Sequence, residues 1–154
     1  MNKIEELVRQ NRGRREIDKY IDQLKEIFGL KFSYSDFSTL NRTDQVTEEF
    51  YKKFKSNIQS GKKYKKASFV DFEIDVKKLT DRVKDEKGYL LTKNAEWFGA
   101  PMVPISIALS QCTKILELDG DSLNIISTDL EKGILLDYFE EFGEWYYELT
   151  AWGW

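Results

Sequence analysis

Apolar residues recur through the first sixty positions at the spacing of helices. Ile4, Leu7 and Val8 open a stripe, and Ile17, Tyr20, Ile21, Leu24, Ile27 and Phe28 repeat at i, i+3, i+4 and i+7. Gly29 is placed to stop that helix, and Gly13 to break or kink the path between the two stripes. Residues 30–40 are ambiguous, because Phe32 and Tyr34 alternate with polar residues while Ser33, Ser35, Asp36 and Ser38 suit turns and caps. A second helix is predicted from Thr43 or Asp44, with Val46, Phe50, Phe54 and Ile58 on one face and Gly61 at its end.

From Ala67 the period changes. Val70, Phe72, Ile74 and Val76 alternate with Asp71, Glu73 and Asp75, which predicts a strand; Leu79 and Val83 then continue from Val76 at helical spacing. A strand turning into a helix near Asp75 follows, closed by Gly88. Tyr89 to Thr92 reads as a short buried strand and 94–102 as a loop. A helix beginning at Pro104 sets Ile105, Ala108, Leu109, Cys112 and Leu116 on one face. Beyond the Asp119-Gly120-Asp121 turn, strands are predicted at Leu123–Ser127, Ile134–Glu140 and Trp145–Trp152. Their short polar loops force antiparallel pairing. The expected fold is a single α+β domain over residues 1–154, mainly helical over 1–117. Its N-terminal helices pack on one face of a C-terminal antiparallel β-meander at 118–154.

Length and composition agree with that domain: 154 residues suit one well-packed core, and 41% hydrophobic with 14% aromatic residues is globular. No apolar run approaches the roughly 18 residues that span a bilayer. Acids at Glu5 and Glu6 stand where a signal peptide needs apolar residues, so a cytoplasmic location is expected. Cys112 is the single cysteine and reads as a buried thiol.

The chain has no histidine, which excludes Ser-His-Asp and Cys-His nucleophiles and imidazole metal sites. One cysteine and no histidine also exclude a zinc site. Asp119, Asp121, Asp129 and Asp137 suggest a carboxylate cluster for Mg²⁺ or Ca²⁺, but the spacing fits no EF-hand and the first three suit turns. No cofactor, no metal and no catalysis are expected. Asp137 differs from the other three because it falls mid-strand, where aspartate is disfavoured, with Glu148 as a candidate cross-strand neighbour.

Charge is laid out unevenly within a net −3. Residues 1–66 carry 16 Lys/Arg against 10 Asp/Glu, whereas from Ile115 onward Lys132 is the only base against ten acids. A dipolar domain with one acidic face is expected, drawing basic partners and repelling nucleic acid. Basic clusters at Arg12, Arg14 and Arg15 and at Lys62, Lys63, Tyr64, Lys65 and Lys66 allow an alternative, a nucleic-acid-binding regulator in which Tyr64 stacks on a base. Near the other end Phe139, Phe142, Trp145, Tyr146, Tyr147, Trp152 and Trp154 crowd together. One aromatic row of that strand is expected in the core. The Trp152-Gly153-Trp154 segment should dock on the domain or meet a partner.

The runs Leu118–Asp129, Gly133–Tyr138 and Tyr147–Gly153 resemble small proteins encoded beside toxin genes in Gram-positive bacteria, among them YxiF-like proteins of polymorphic-toxin immunity loci. The resemblance covers about the last third of the chain. It implies a non-catalytic protein that occludes a cognate toxin, such as a basic nuclease domain, and it transfers no catalytic residue. Asp137, Glu140, Glu144, Glu148, Trp152 and Trp154 are the expected partner contacts.

Overall fold

The computed structural model describes residues 2–154. Its elements are α1 (Lys3–Phe28), α2 (Leu40–Ser56), β1 (Lys62–Lys65), α3 (Phe69–Arg82), β2 (Lys87–Leu91), α4 (Ala95–Phe98), β3 (Met102–Pro104), α5 (Ile105–Ser110), α6 (Cys112–Asp119), β4 (Ser122–Ser127), β5 (Gly133–Glu141) and β6 (Glu144–Trp152). Every strand pairing is antiparallel, in the order β1-β6-β5-β4-β2-β3. The α+β class and the β4-β5-β6 meander are those expected from the sequence. The meander is the middle of a larger sheet, however, flanked by β1 on one side and by β2 and β3 on the other.

Local chemistry sets the helix ends. The Asn2 side chain accepts from the Glu5 N–H while the Glu5 carboxylate accepts from the Asn2 N–H, a capping box. Gly29 closes α1 in the left-handed region and donates its N–H to the Lys25 carbonyl. Thr39 caps α2 by accepting from the Arg42 N–H. Between those ends α1 is unbroken, against the expectation at Gly13. That glycine is buried where α1 crosses α4, and a Cβ there would overlap the Trp97 carbonyl oxygen. Gly13 thus permits close approach between helices and does not bend one.

The predicted strand over Val70–Val76 is also absent, because α3 is helical from Phe69. Phe72, Val76 and Leu79 are buried along one helical face, while Val70 and Ile74 are exposed. Burial of one side of a helix outweighed a four-residue alternation of apolar groups. The lysine-rich Lys62–Lys65 segment supplies the edge strand instead, where charged side chains deter edge-to-edge association.

Both faces of the sheet are covered in its central part, so the helices do not all lie on one face as the sequence suggested. Ile134 and Leu136 of β5 point into a core shared with α1, α3, α5 and α6. Leu135, between them, points the opposite way into a second core formed with Val46 and Phe50 of α2, Ile126 and Trp152. The alternation along one strand therefore dictates a layer on each side. Among the described residues, no helix is long and apolar enough to cross a membrane.

An alanine in place of glycine inside a helix normally stabilises by up to about 1 kcal/mol. At Gly13 the opposite sign is expected, a loss of roughly 1–3 kcal/mol from overpacking against Trp97. Thermal melting of Gly13→Ala checks this; an unchanged or raised midpoint would contradict the packing described.

Candidate functional site

The β5–β6 hairpin outruns its neighbours. Pairing of β4 with β5 ends at Ser122 opposite Asp137, and pairing of β1 with β6 ends at Lys65 opposite Tyr146. Beyond those points lies an arm whose only strand pairing is between β5 and β6. Its turn residues, Phe142 and Gly143, have φ of 54° and 80°, the double left-handed turn that usually takes Asn-Gly. A bulky phenylalanine is disfavoured there, and Phe142 is 99% exposed. Neither packing nor turn geometry accounts for its presence.

Aromatic stacks stiffen both faces of the arm. Tyr138 and Trp145 stack at 4.7 Å on one face, and Phe139 and Tyr146 at 5.8 Å on the other. Tyr147 links the first stack to the core, lying 4.7 Å from Tyr138 and 4.6 Å from Phe72. One aromatic row is thus core at its inner end, as expected, and its outer end, Trp145, is exposed. Glu140, Glu141 and Glu144 surround the tip.

Asp137 and Glu148 are cross-strand partners at the arm's base, as anticipated. Both are half-buried. Loss of solvent pushes the Asp137 carboxyl up, against a 2.6 Å hydrogen bond from the Ser122 hydroxyl. Glu148 is raised first by loss of solvent and then by Asp137. The tryptophans named with them lie elsewhere. Trp152 is only 7% exposed, packed 5.3 Å from Phe50. Trp154 donates its indole N–H to Glu86 at 2.6 Å, beside the 2.8 Å Lys132–Glu86 ion pair. Those two residues dock the segment on the domain and do not join the arm.

The basic clusters are not gathered into one surface. Tyr64 is 5% exposed, and its hydroxyl donates to Asp75, so it cannot stack on a base as placed. Lys62 pairs with Asp75, Lys63 with Glu141 and Lys65 with Glu144, while Lys66 is exposed near Tyr138. The expected separation of charge is therefore reduced, because β1 lays its lysines beside the acidic hairpin. Arg12 lies over the Trp97 ring and near Glu16, and Arg14 and Arg15 are exposed.

Asp119, Asp121 and Asp137 are likewise not assembled. Among the described residues, no group of three or more metal-binding side chains is arranged around a common point. Asp119 is buried and accepts from the Tyr20 hydroxyl at 3.2 Å and from the Asn94 amide. Asp121 occupies a left-handed turn position, and Asp129 accepts from the Ser127 hydroxyl. Cys112 is buried, as expected, and burial raises its thiol to about 11.

Asp119 titrates in a range that stability measurements reach. Burial pushes its carboxyl from 3.8 up to about 6, against hydrogen bonds from Thr92, Asn94 and Tyr20. The folded chain therefore holds this proton more tightly than the unfolded chain. The associated stability is complete below the unfolded value and is lost as pH rises through the folded one. At about 1.4 kcal/mol per unit, the ionised group costs up to ~3 kcal/mol at neutral pH. Asp119→Asn should raise the urea midpoint at pH 7 and lose that advantage near pH 4. An equal or lower midpoint at pH 7 would contradict this.

Comparison with family models, with curated proteins and with solved structures finds no match for the chain.

Proposed function

We propose that this chain is a non-catalytic, immunity-type protein that binds and neutralises a cognate toxin in the cytoplasm, covering it with the acidic, aromatic arm of β5 and β6. The observation that carries the reading is Phe142, a fully exposed aromatic side chain in a backbone conformation unfavourable to it. Bulky residues persist at such positions where function holds them. With Trp145 it offers two aromatic anchors of the kind that dominate binding energy. Glu140 and Glu144 flank them, and Asp137 and Glu148 lie at the arm's base on the face opposite Trp145; this negative charge speeds encounter with a basic partner such as a nuclease domain. The resemblance of the last third of the chain to immunity proteins points the same way. For the nucleic-acid alternative, the burial of Tyr64 and the ion pairs along β1 remove most of its support.

The test is co-expression with the product of the adjacent gene, followed by affinity measurement on any complex. Phe142→Gly should weaken the complex about tenfold or more. The same change should leave the melting temperature equal or higher, since relief of the left-handed strain is worth roughly 1 kcal/mol. Charge reversal at Asp137, Glu140, Glu144 and Glu148 together should slow association while the fold persists. Full affinity in Phe142→Gly, or absence of a complex with the products of adjacent genes across several genomes, would overturn the reading.

A further inference from the structure

Below the arm, one face of the sheet carries a polar row that runs across four strands. Register sets Ser122 of β4 opposite Asp137 of β5, Asp137 opposite Glu148 of β6, and Glu148 opposite Lys63 of β1. This is the face that α2 covers further along, over Leu135 and Trp152. Side chains directly opposite one another on a sheet lie about 5 Å apart at Cβ, and like charges so placed repel. Among the described residues, no lysine or arginine forms an ion pair with Asp137 or Glu148. Lys63, the natural candidate, extends to Glu141 at 3.0 Å instead.

Polar side-chain atoms with no partner among the described residues lie on this face, including the Trp152 Nε1 donor. In the adjoining row, Asn124 is 4% exposed and Thr150 is fully buried; the Asn124 Oδ1 and the Thr150 Oγ1 have no hydrogen-bond partner among the described residues. Thr150 Oγ1 and Glu148 Oε1 border the same point beside Gly61, at 2.7 and 3.4 Å from where a Cβ on that glycine would stand. On the outer side of the carboxylates lies the Phe139–Tyr146 stack, and the Lys63 ammonium already rests 5.5 Å from the Phe139 ring. Two carboxylates without an ion pair, the unpartnered Asn124 oxygen and aromatic rings suit an occupant rich in donors, cationic and flat. A guanidinium has five N–H donors, no acceptor and a plane that stacks on rings. A metal ion fits less well, since no third acid joins the pair.

We propose that the Asp137–Glu148 row is a recognition site for one arginine side chain of a protein partner, with the N–H edge of its guanidinium bridging the two carboxylates and its plane against Phe139 and Tyr146. The inference rests on the protein-binding reading above and names the group that this base of the arm receives. Loss of solvent raises both carboxyls in the free protein, against the Ser122 hydrogen bond at Asp137; at Glu148 the nearby Asp137 and Glu141 add to the rise and Lys63 opposes it. A bound cation reverses that cost.

The whole chain, labelled with carbon-13 at Asp and Glu carboxyls, is titrated with a capped, glycine-flanked arginine pentapeptide. Lysine and citrulline versions serve as comparisons. The arginine peptide should shift the Asp137 and Glu148 signals saturably at millimolar concentration, together with the ring signals of Phe139 and Tyr146. Citrulline should leave them unmoved, and Asp137→Asn or Glu148→Gln should each cut the apparent affinity about tenfold. Both variants should melt at or above the wild-type temperature because repulsion is relieved. No shift, equal shifts at Glu140, Glu141 and Glu144, or an equal response to lysine would overturn the site. The peptide assay needs no natural partner, so its failure leaves the arm's role to the co-expression test. A natural complex that Asp137→Asn and Glu148→Gln leave at full affinity would remove the arginine site alone.

Discussion

The arrangement depends on four residues of β5 that are buried on both sides. Gly133, Ile134, Leu135 and Leu136 alternate between two cores, and each core requires its own helical layer. Gly133 belongs to this constraint as much as its neighbours do. Trp152 lies across it from β6, and a Cβ there would enter the indole ring. At Asp137 the doubly buried run ends, and pairing with β4 ends with it. From that residue outward β5 has only β6 as a strand partner, and β6 keeps β1 no further than Tyr146, so the same hairpin changes from the centre of a core to an exposed arm.

That division explains which parts of the fold were legible beforehand. The three C-terminal strands and the helix at Val46–Phe54 carried strong local periodicity, and their positions agree with the structure to within a few residues; the Ile17–Phe28 stripe ends where α1 ends but marks only its second half. β1 was illegible because Lys62-Lys63-Tyr64-Lys65 holds one apolar residue, and its strand character comes from pairing with β6. Val70–Val76 misled because Phe72 and Val76, four residues apart on one helical face, also fall on a period-two alternation with Val70 and Ile74, and only tertiary burial separates the two readings. The one-sided helical layer misled for a related reason: Leu135 sits within an apolar run that carries no sign of a second core.

For the candidate site, charge was legible and aromatic exposure was not. Asp137 and Glu148 were readable as an anomaly, since acids stood in strand positions, and the register makes them neighbours. The terminal tryptophans drew attention by residue type, yet Trp152 fills the second core and Trp154 is held by Glu86. Phe142 was visible in the sequence as one aromatic among several. The signal that distinguishes it is its place before Gly143 in a two-residue turn, where asparagine would be ordinary. Aromatic residues that stack inward along Phe72, Tyr147 and Tyr138 give the arm stiffness, which lowers the entropy lost when a partner docks.

Hydrogen exchange, measured on the chain alone and again in complex with its adjacent-gene partner, tests the central claim that the arm is the binding surface. In the free chain, amides at 133–136 should exchange slowly and those at 139–145 faster, following the end of double-sided burial. In the complex, new protection should concentrate over 137–148. Protection confined to α1, α3 or α5, with the arm exchanging as before, would contradict the account.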